Sequence, residues 1–146
     1  YNTTLQQYLK QNKNETLGML KRIISTFKFL HQQQILHLDI KHESFFVENH
    51  QLKIQVFHQH KTENKQSNLH FKAPEIYKQQ FRAENDIFGL GILFSELIKK
   101  KPNIKASKFV TLNNKIKRMI NKMMIKNFEK RISLDDCEKI LESVIE

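Results

Sequence analysis

Glycine, proline and cysteine are scarce in this sequence of 146 residues. Three glycines and two prolines are too few for a collagenous or Pro/Gly-rich low-complexity chain. The single cysteine, Cys137, excludes an internal disulfide and a cysteine-based zinc site, and it favours a reducing, intracellular compartment. Seven histidines show no HExxH or Cys/His spacing, so the sequence predicts no metal site.

Long apolar runs are also missing. The longest one, residues 87–94, is far shorter than the ~18 residues that a membrane span needs, so we expect a soluble chain without membrane contact. Neither a start methionine nor a secretory or transit signal stands at Tyr1. We therefore expect this chain to be a piece of a longer protein.

Acidic residues are few relative to basic ones. The sequence has 25 Lys and Arg but only 15 Asp and Glu, which gives a formal net charge of +10. The 39% of hydrophobic residues, with 11 Phe, still suffice for one globular core. Of the cations 21 are lysines, spread among Gln and Asn rather than gathered into arginine-rich, aromatic-interleaved blocks. We interpret the excess first as a solvated surface, with an acidic partner as the alternative, and the pattern disfavours nucleic acid.

Apolar residues at helical spacing predict two helices in the first part of the chain. The first is short and can be capped by Thr3 or Thr4, and the second can be capped by Asn14 and ends near Gln34. Two β-rich runs follow, residues 45–47 and 52–57, separated by a polar turn that indicates a hairpin.

Three more helices are predicted after a polar loop at residues 58–72. The segment 87–98 is apolar nearly all round, which is typical of a buried central helix. An amphipathic helix follows around residues 112–124, and Ser133 with Asp136 forms a capping-box-like start to the last one. The pattern as a whole predicts a mainly α protein with one small β-hairpin.

Five short motifs occur in order along these elements. Residues 37–47 read HLDIKHESFFV, residues 53–58 read KIQVFH, residues 73–75 read APE, residues 86–91 read DIFGLG and residues 130–133 read KRIS. This series resembles the protein kinase family, with its catalytic loop, D-F-G segment, A-P-E motif, buried F helix and the K-R-x-S before its last helix.

The resemblance covers residues 1–146 and implies only the C-terminal lobe (C-lobe) of a protein kinase. The implied fold is mainly α (α+β), with a central buried helix and one small hairpin. The Gly-rich loop, the strand Lys that anchors ATP and the Glu of helix C belong to the N-terminal lobe (N-lobe) of the family. They would precede Tyr1, so the N-lobe is absent from this chain.

Both positions that hold Mg²⁺ in kinases differ from the family pattern. The resemblance places Asp39 and Lys41 at the catalytic-base and phosphate-contacting positions, but Ser44 replaces the metal-binding Asn and Val56 replaces the Asp of D-F-G. An isopropyl group cannot ligate a hard cation, and a neutral hydroxyl is a weak ligand. We therefore predict that Asp39 and Lys41 are an inactive remnant and that neither ATP nor Mg²⁺ is a cofactor.

A further departure from the family pattern affects how the activation loop could be controlled. Leu38 replaces the catalytic-loop Arg of the family. A phosphate on Thr62 or Ser67 would then lack its guanidinium partner, so we expect no control by loop phosphorylation.

Residues that hold the C-lobe together match the family. The resemblance implies a buried salt bridge between Glu75 and Arg131 and hydrogen bonds from the catalytic-loop backbone to Asp86. It also places His37 and Phe57 in the lower part of the regulatory spine of the family. We expect these five residues to have structural roles.

Phe45, Phe46 and Leu93 fit the apolar stack below the adenine pocket of the family. In a complete kinase the nucleotide and the N-lobe cover this region, and exposed Phe costs free energy. We therefore predict that these residues, with the start of the first helix, form an interaction face covered by a protein partner or by an upstream segment.

The sequence thus predicts a pseudokinase, a catalytically inactive kinase-like domain that acts as an interaction or scaffolding module. We expect it in the cytoplasm or on the cytoskeleton. One alternative is a degenerate Ser/Thr kinase with residual ATP-dependent phosphotransfer when an N-lobe completes it, for which ATP and Mg²⁺ would be cofactors. The other is a Lys-rich module that binds an acidic surface, either nucleic acid or an acidic protein lattice.

Overall fold

The computed structural model describes residues 3–56, 70–99 and 107–145, which form a mostly helical structure with a small antiparallel sheet. The mainly α prediction is therefore confirmed. The described helices and strands, in chain order, are β1 (Thr3–Thr4), α1 (Leu5–Gln11), α2 (Thr16–Gln32), β2 (Phe45–Glu48), β3 (Gln51–Ile54), α3 (Ala83–Lys99), α4 (Ser107–Met123) and α5 (Leu134–Ile145).

The start of α1 is capped by Thr4, as the sequence predicts. The Thr4 Oγ1 accepts a hydrogen bond from the Gln7 N–H at 3.2 Å, and the Gln7 side chain accepts one from the Thr4 N–H. Thr3 and Thr4 also pair with β2, which makes β1 a third strand beside the predicted hairpin. A two-residue strand carries no alternation pattern, so the sequence offers no signal for it.

The hairpin has the predicted place in the chain. Strands β2 and β3 run antiparallel, with Phe45 opposite Ile54 and Glu48 opposite Gln51. The turn residues Asn49 and His50 both have positive φ angles, 51° and 62°, which suit the right-handed twist of a two-residue hairpin. Strand β3 ends at Ile54, earlier than predicted.

The expected cap of α2 at Asn14 is wrong. Residues 13–15 form a 3₁₀ turn, and α2 begins at Thr16, whose hydroxyl donates to the Lys13 carbonyl. The helix ends at Gln32, close to the predicted end. Its core side is fully covered and comprises Met19, Leu20, Ile23, Ile24 and Phe27.

Helix α3 is the buried central helix that its apolar sequence predicts. Leu90, Leu93 and Phe94 have no exposed surface. The end of α4 lies close to Gly91, where a Cβ atom would lie 2.9 Å from Met123 Cβ and 2.7 Å from the Cγ of Met124, just after the helix. None of the helices in the described ranges combines the length and apolarity needed to cross a membrane.

Two residues of the predicted interaction face belong to the core instead. Phe45 and Leu93 are fully buried, because strand β2 directs Phe45 and Val47 inward, where Leu5 and Leu9 of α1 join the same core. This corrects their assignment to a surface. Only Phe46 keeps partial exposure, on the other face of β2.

The approach of α3 to α4 gives a first prediction. Substituting Gly91→Ala should lower the free energy of unfolding by about 1–3 kcal/mol, because the added methyl group overlaps the side chains of Met123 and Met124. Gly18→Ala is the matched control, since nothing lies within 4 Å of its Cβ position, and it should stabilise the chain by about 0.5–1 kcal/mol. Urea unfolding measures both, and equal effects of the two substitutions would contradict the close approach.

Candidate functional site

The backbone that follows α2 is held by the buried carboxylate of Asp86, near the start of α3. The N–H groups of His37 and Leu38 donate to its two oxygens, each at 2.8 Å. His31 Nε2, near the end of α2, donates to Asp86 Oδ2 at 3.0 Å. His31 lies six residues before the motif that begins at His37, so the motif gives no signal for it. Asp86 therefore ties α2 and the catalytic-loop segment to α3.

Leu38 has the left-handed backbone conformation, with a φ angle of 62°. For a residue with a Cβ atom this conformation costs about 1–2 kcal/mol. Asp86 accepts from the Leu38 N–H, and the Lys72 Nζ donates to the Leu38 carbonyl. Both backbone polar groups of this strained residue are thus held by side chains from other segments, which fixes the direction of Asp39.

His37 is buried in a stack of three aromatic rings. Its ring centroid lies 5.7 Å from that of Phe27 and 6.4 Å from that of Phe45, with small interplanar angles. Burial lowers the pKa of His37 below its ordinary value, against the attraction of Asp86. The ring contacts the Gln55 carbonyl through Nε2 at 2.7 Å. Phe57, the other predicted spine residue, lies outside the described residues.

Asp39 is flanked by two lysines. Lys41 Nζ lies 3.3 Å from Asp39 Oδ2, and Lys72 Nζ lies 3.8 Å from Oδ1. Burial lowers the pKa of Lys72, whereas the charge of Asp39 raises it. Lys72 directly precedes the A-P-E motif and is 33 positions away from Asp39 in the numbering, so only the tertiary structure reveals this contact.

Ser44 and Val56 stand at the positions where the resemblance places the Mg²⁺ ligands of the family. The Ser44 side chain is buried, and its hydroxyl donates to the Asp39 carbonyl at 3.3 Å. Val56, at the D-F-G position, carries no oxygen on its side chain. Across residues 3–56, 70–99 and 107–145, no three His, Cys, Asp or Glu side chains form a group able to hold a metal ion.

Glu75 and Arg131 form a buried, bidentate salt bridge. Arg131 Nη1 lies 2.5 Å from Glu75 Oε2, and Arg131 Nη2 lies 2.7 Å from Oε1. The side-chain amide of Asn85 also donates to Glu75 Oε2, at 2.6 Å. Asn85 is a further member of this cluster and directly precedes Asp86, but it lies outside the sequence motifs.

The remaining donors of Arg131 are also satisfied. Its Nε donates to the Ile125 carbonyl, Nη1 to the Glu84 carbonyl and Nη2 to the Lys126 carbonyl, at 2.6–3.0 Å. All five N–H groups of a guanidinium are thus used, and the group also lies 5.0 Å from the centre of the Phe88 ring. One side chain therefore joins the A-P-E segment, the start of α3 and the connection between α4 and α5.

Comparison with known proteins identifies the family. The family model of the protein kinase domain matches residues 1–145. The serine/threonine-protein kinase PLK2 of Mus musculus is 30% identical over 142 residues, which cover 80% of this chain and 21% of that kinase. The chain therefore belongs to the protein kinase domain family.

Other relatives carry related names. The probable serine/threonine-protein kinase WNK6 of Oryza sativa subsp. japonica is 24% identical over 127 residues, which cover 77% of this chain and 29% of the relative. The mitogen-activated protein kinase sty1 of Schizosaccharomyces pombe is 33% identical over 91 residues, which cover 57% of this chain and 26% of that kinase. The chain thus spans less than a third of the length of each of these relatives.

The Glu75–Arg131 pair gives a second prediction. Arg131→Ala should cost about 3–5 kcal/mol of unfolding free energy, because Glu75 would remain charged and buried without its partner. Lys21→Ala is the matched control, because the pair Lys21–Glu142 is 3.8 Å apart and largely exposed, and it should cost less than about 1 kcal/mol. Chemical unfolding measures both, and a similar small cost for the two variants would contradict the buried pair.

The same pair predicts a pH dependence. Burial opposes ionisation of Glu75, but the hydrogen bonds from Arg131 and Asn85 outweigh it, so the pKa of Glu75 lies below its ordinary value. A lowered pKa means that the stabilisation is complete above the unfolded-state pKa and is lost as pH falls through the folded-state value. Glu75→Gln should therefore destabilise the chain strongly at about pH 7 and progressively less at acidic pH. A difference between the two proteins that stays constant with pH would contradict this.

Proposed function

We propose that this chain is the C-lobe of a pseudokinase that serves as a protein-interaction or scaffolding module. The observation that carries the proposal is the state of Asp39, whose two carboxylate oxygens each face a lysine of this chain. A catalytic base must accept the proton of a substrate hydroxyl. The two ammonium groups of Lys41 and Lys72 compete for the oxygens that would do so.

The metal positions support the same conclusion. Phosphoryl transfer depends on positioning and on metal ions that neutralise the charge developing on the phosphate. Val56 offers only hydrocarbon, and the Ser44 hydroxyl is used in a hydrogen bond to Asp39. The Ser44 hydroxyl therefore has a protein partner, and Val56 has no polar side-chain group that could bind an ion.

A scaffold needs a stable platform, which the buried clusters supply. Asp86 holds the segment around Leu38, and Arg131 joins three segments of the chain. Phe46, half-buried on the outer side of β2, marks the part of the sheet that a partner protein or an upstream segment would contact. We place the module inside the cell, in the cytoplasm or on the cytoskeleton, where its unpaired Cys137 can stay reduced.

An active Ser/Thr kinase is the second candidate. Asp39 and Lys41 match the catalytic loop, and PLK2 and WNK6 are both named as serine/threonine-protein kinases. This candidate needs an N-lobe for the nucleotide and a source of metal ligands other than Ser44 and Val56.

A thermal-shift measurement separates the two candidates. The complete product of the gene that encodes this chain should be used, so that any N-lobe is present. We expect no change in Tm with Mg-ATP, because the two metal positions lack ligands. If Mg-ATP did bind, a concentration of about a hundred times its Kd would stabilise the protein by about 2.7 kcal/mol. A rise of several degrees that EDTA abolishes would contradict the proposal.

The double variant Ser44→Asn/Val56→Asp is the matched control, because it restores both metal-binding side chains of the family pattern. A Mg-dependent Tm rise confined to this variant would trace the missing response to the two replaced residues. Asp39→Asn, in contrast, should leave the response to Mg-ATP unchanged.

A further inference from the structure

The net charge of this chain comes from one segment. Residues 99–126 contain ten lysines and arginines and no Asp or Glu. The fifteen cations in the rest of the chain are matched by fifteen Asp and Glu. Along the sequence, the formal net charge of +10 therefore corresponds to the cations of residues 99–126, a stretch that includes α4.

Five exposed cations of this segment lie on α4 and just beyond it, and we call them the basic face. Lys115, Arg118 and Lys122 follow one side of α4 at spacings of three and four residues, which cover about 10 Å along its axis. Lys117 and Lys126 complete the basic face. Like charges at such spacing repel each other, so the arrangement costs stability unless an anion neutralises it.

Two lysines of α2, in contrast, form ion pairs with acidic residues of α5. Lys28 of α2 lies 2.7 Å from Asp135 and 2.9 Å from Glu138, both on α5. Lys21 of α2 lies 3.8 Å from Glu142. Within the described ranges, none of the five cations of the basic face forms an ion pair.

The chemistry of the face indicates which anion it fits. The apolar side of α4 cannot enter a bilayer, because Ile116, Met119, Ile120 and Met123 are buried in the core. Of the five cations only Arg118 offers the bidentate fork that suits phosphates and bases. The other four are lysines, whose strongly hydrated ammonium groups lack that fork and can pair as point charges with the carboxylates of Asp and Glu.

We propose that the basic face of α4 docks an Asp/Glu-rich segment of a partner protein. Attraction between opposite charges of this kind mainly raises the association rate and weakens as salt screens it. The inference goes beyond the proposed function and does not depend on it, since the basic face shares no residue with the Asp39 cluster. An active kinase could use the same surface.

The test compares two neutralised variants of the complete chain. One carries Lys115→Gln, Arg118→Gln and Lys122→Gln on the basic face. The other carries Lys10→Gln, Lys53→Gln and Lys78→Gln, which are exposed positions elsewhere and remove the same charge. Circular dichroism and Tm confirm that each variant is folded, and fluorescence anisotropy with a labelled 20-residue poly-glutamate peptide measures Kd.

We expect the α4 variant to lose about tenfold in affinity and the control variant to lose less than about twofold, with affinity falling as salt rises from about 50 to 200 mM. Equal losses in both variants would overturn the proposal, because net charge alone would then explain binding. Tighter α4-dependent binding to a 20-base-pair DNA or to phosphatidylserine vesicles than to the peptide, at equal salt, would overturn it in favour of those ligands. These outcomes are independent of the response to Mg-ATP.

Discussion

The buried carboxylate of Asp86 is the constraint on which the arrangement of the candidate site depends. A carboxylate removed from water needs several hydrogen bonds, and Asp86 obtains them from the backbone of His37 and Leu38 and from the His31 ring. Meeting this need brings α2, α3 and the catalytic-loop segment together. It also stabilises the left-handed Leu38, so a local backbone strain is offset by satisfying a buried charge.

The Glu75–Arg131 cluster applies the same rule, and it also lies at the start of α3, where it contacts Glu84 and Asn85. Arg131 satisfies its five donors with Glu75 and three backbone carbonyls, so removal of any partner leaves a buried polar group unsatisfied. Ser44 and Val56 impose no comparable demand, since the Ser44 hydroxyl donates to the Asp39 carbonyl and the Val56 side chain is apolar. The residues that hold the segments of this fold together are therefore different from the residues at the two metal positions of the family.

Periodicity and turn chemistry predicted most of the fold. The buried character of α3, the Thr4 cap and the hairpin at Asn49 and His50 all follow from local sequence. The errors concern what local sequence does not contain. Strand β1 is too short to show alternation, and the burial of Phe45 depends on α1 packing against the sheet. Lys72 meets Asp39 only through tertiary structure, so no spacing along the chain could indicate it.

The contact between Lys72 and Asp39 also explains how an aspartate can be structurally useful at this position without catalysis. Lys72 is half-buried, and burial lowers its pKa, so its ammonium group has lost part of its hydration. The Leu38 carbonyl and the Asp39 carboxylate compensate for that loss. Without Asp39, Lys72 and Lys41 would face each other as like charges beside a strained backbone. The carboxylate therefore stabilises the segment around Leu38 whether or not it ever accepts a proton from a substrate.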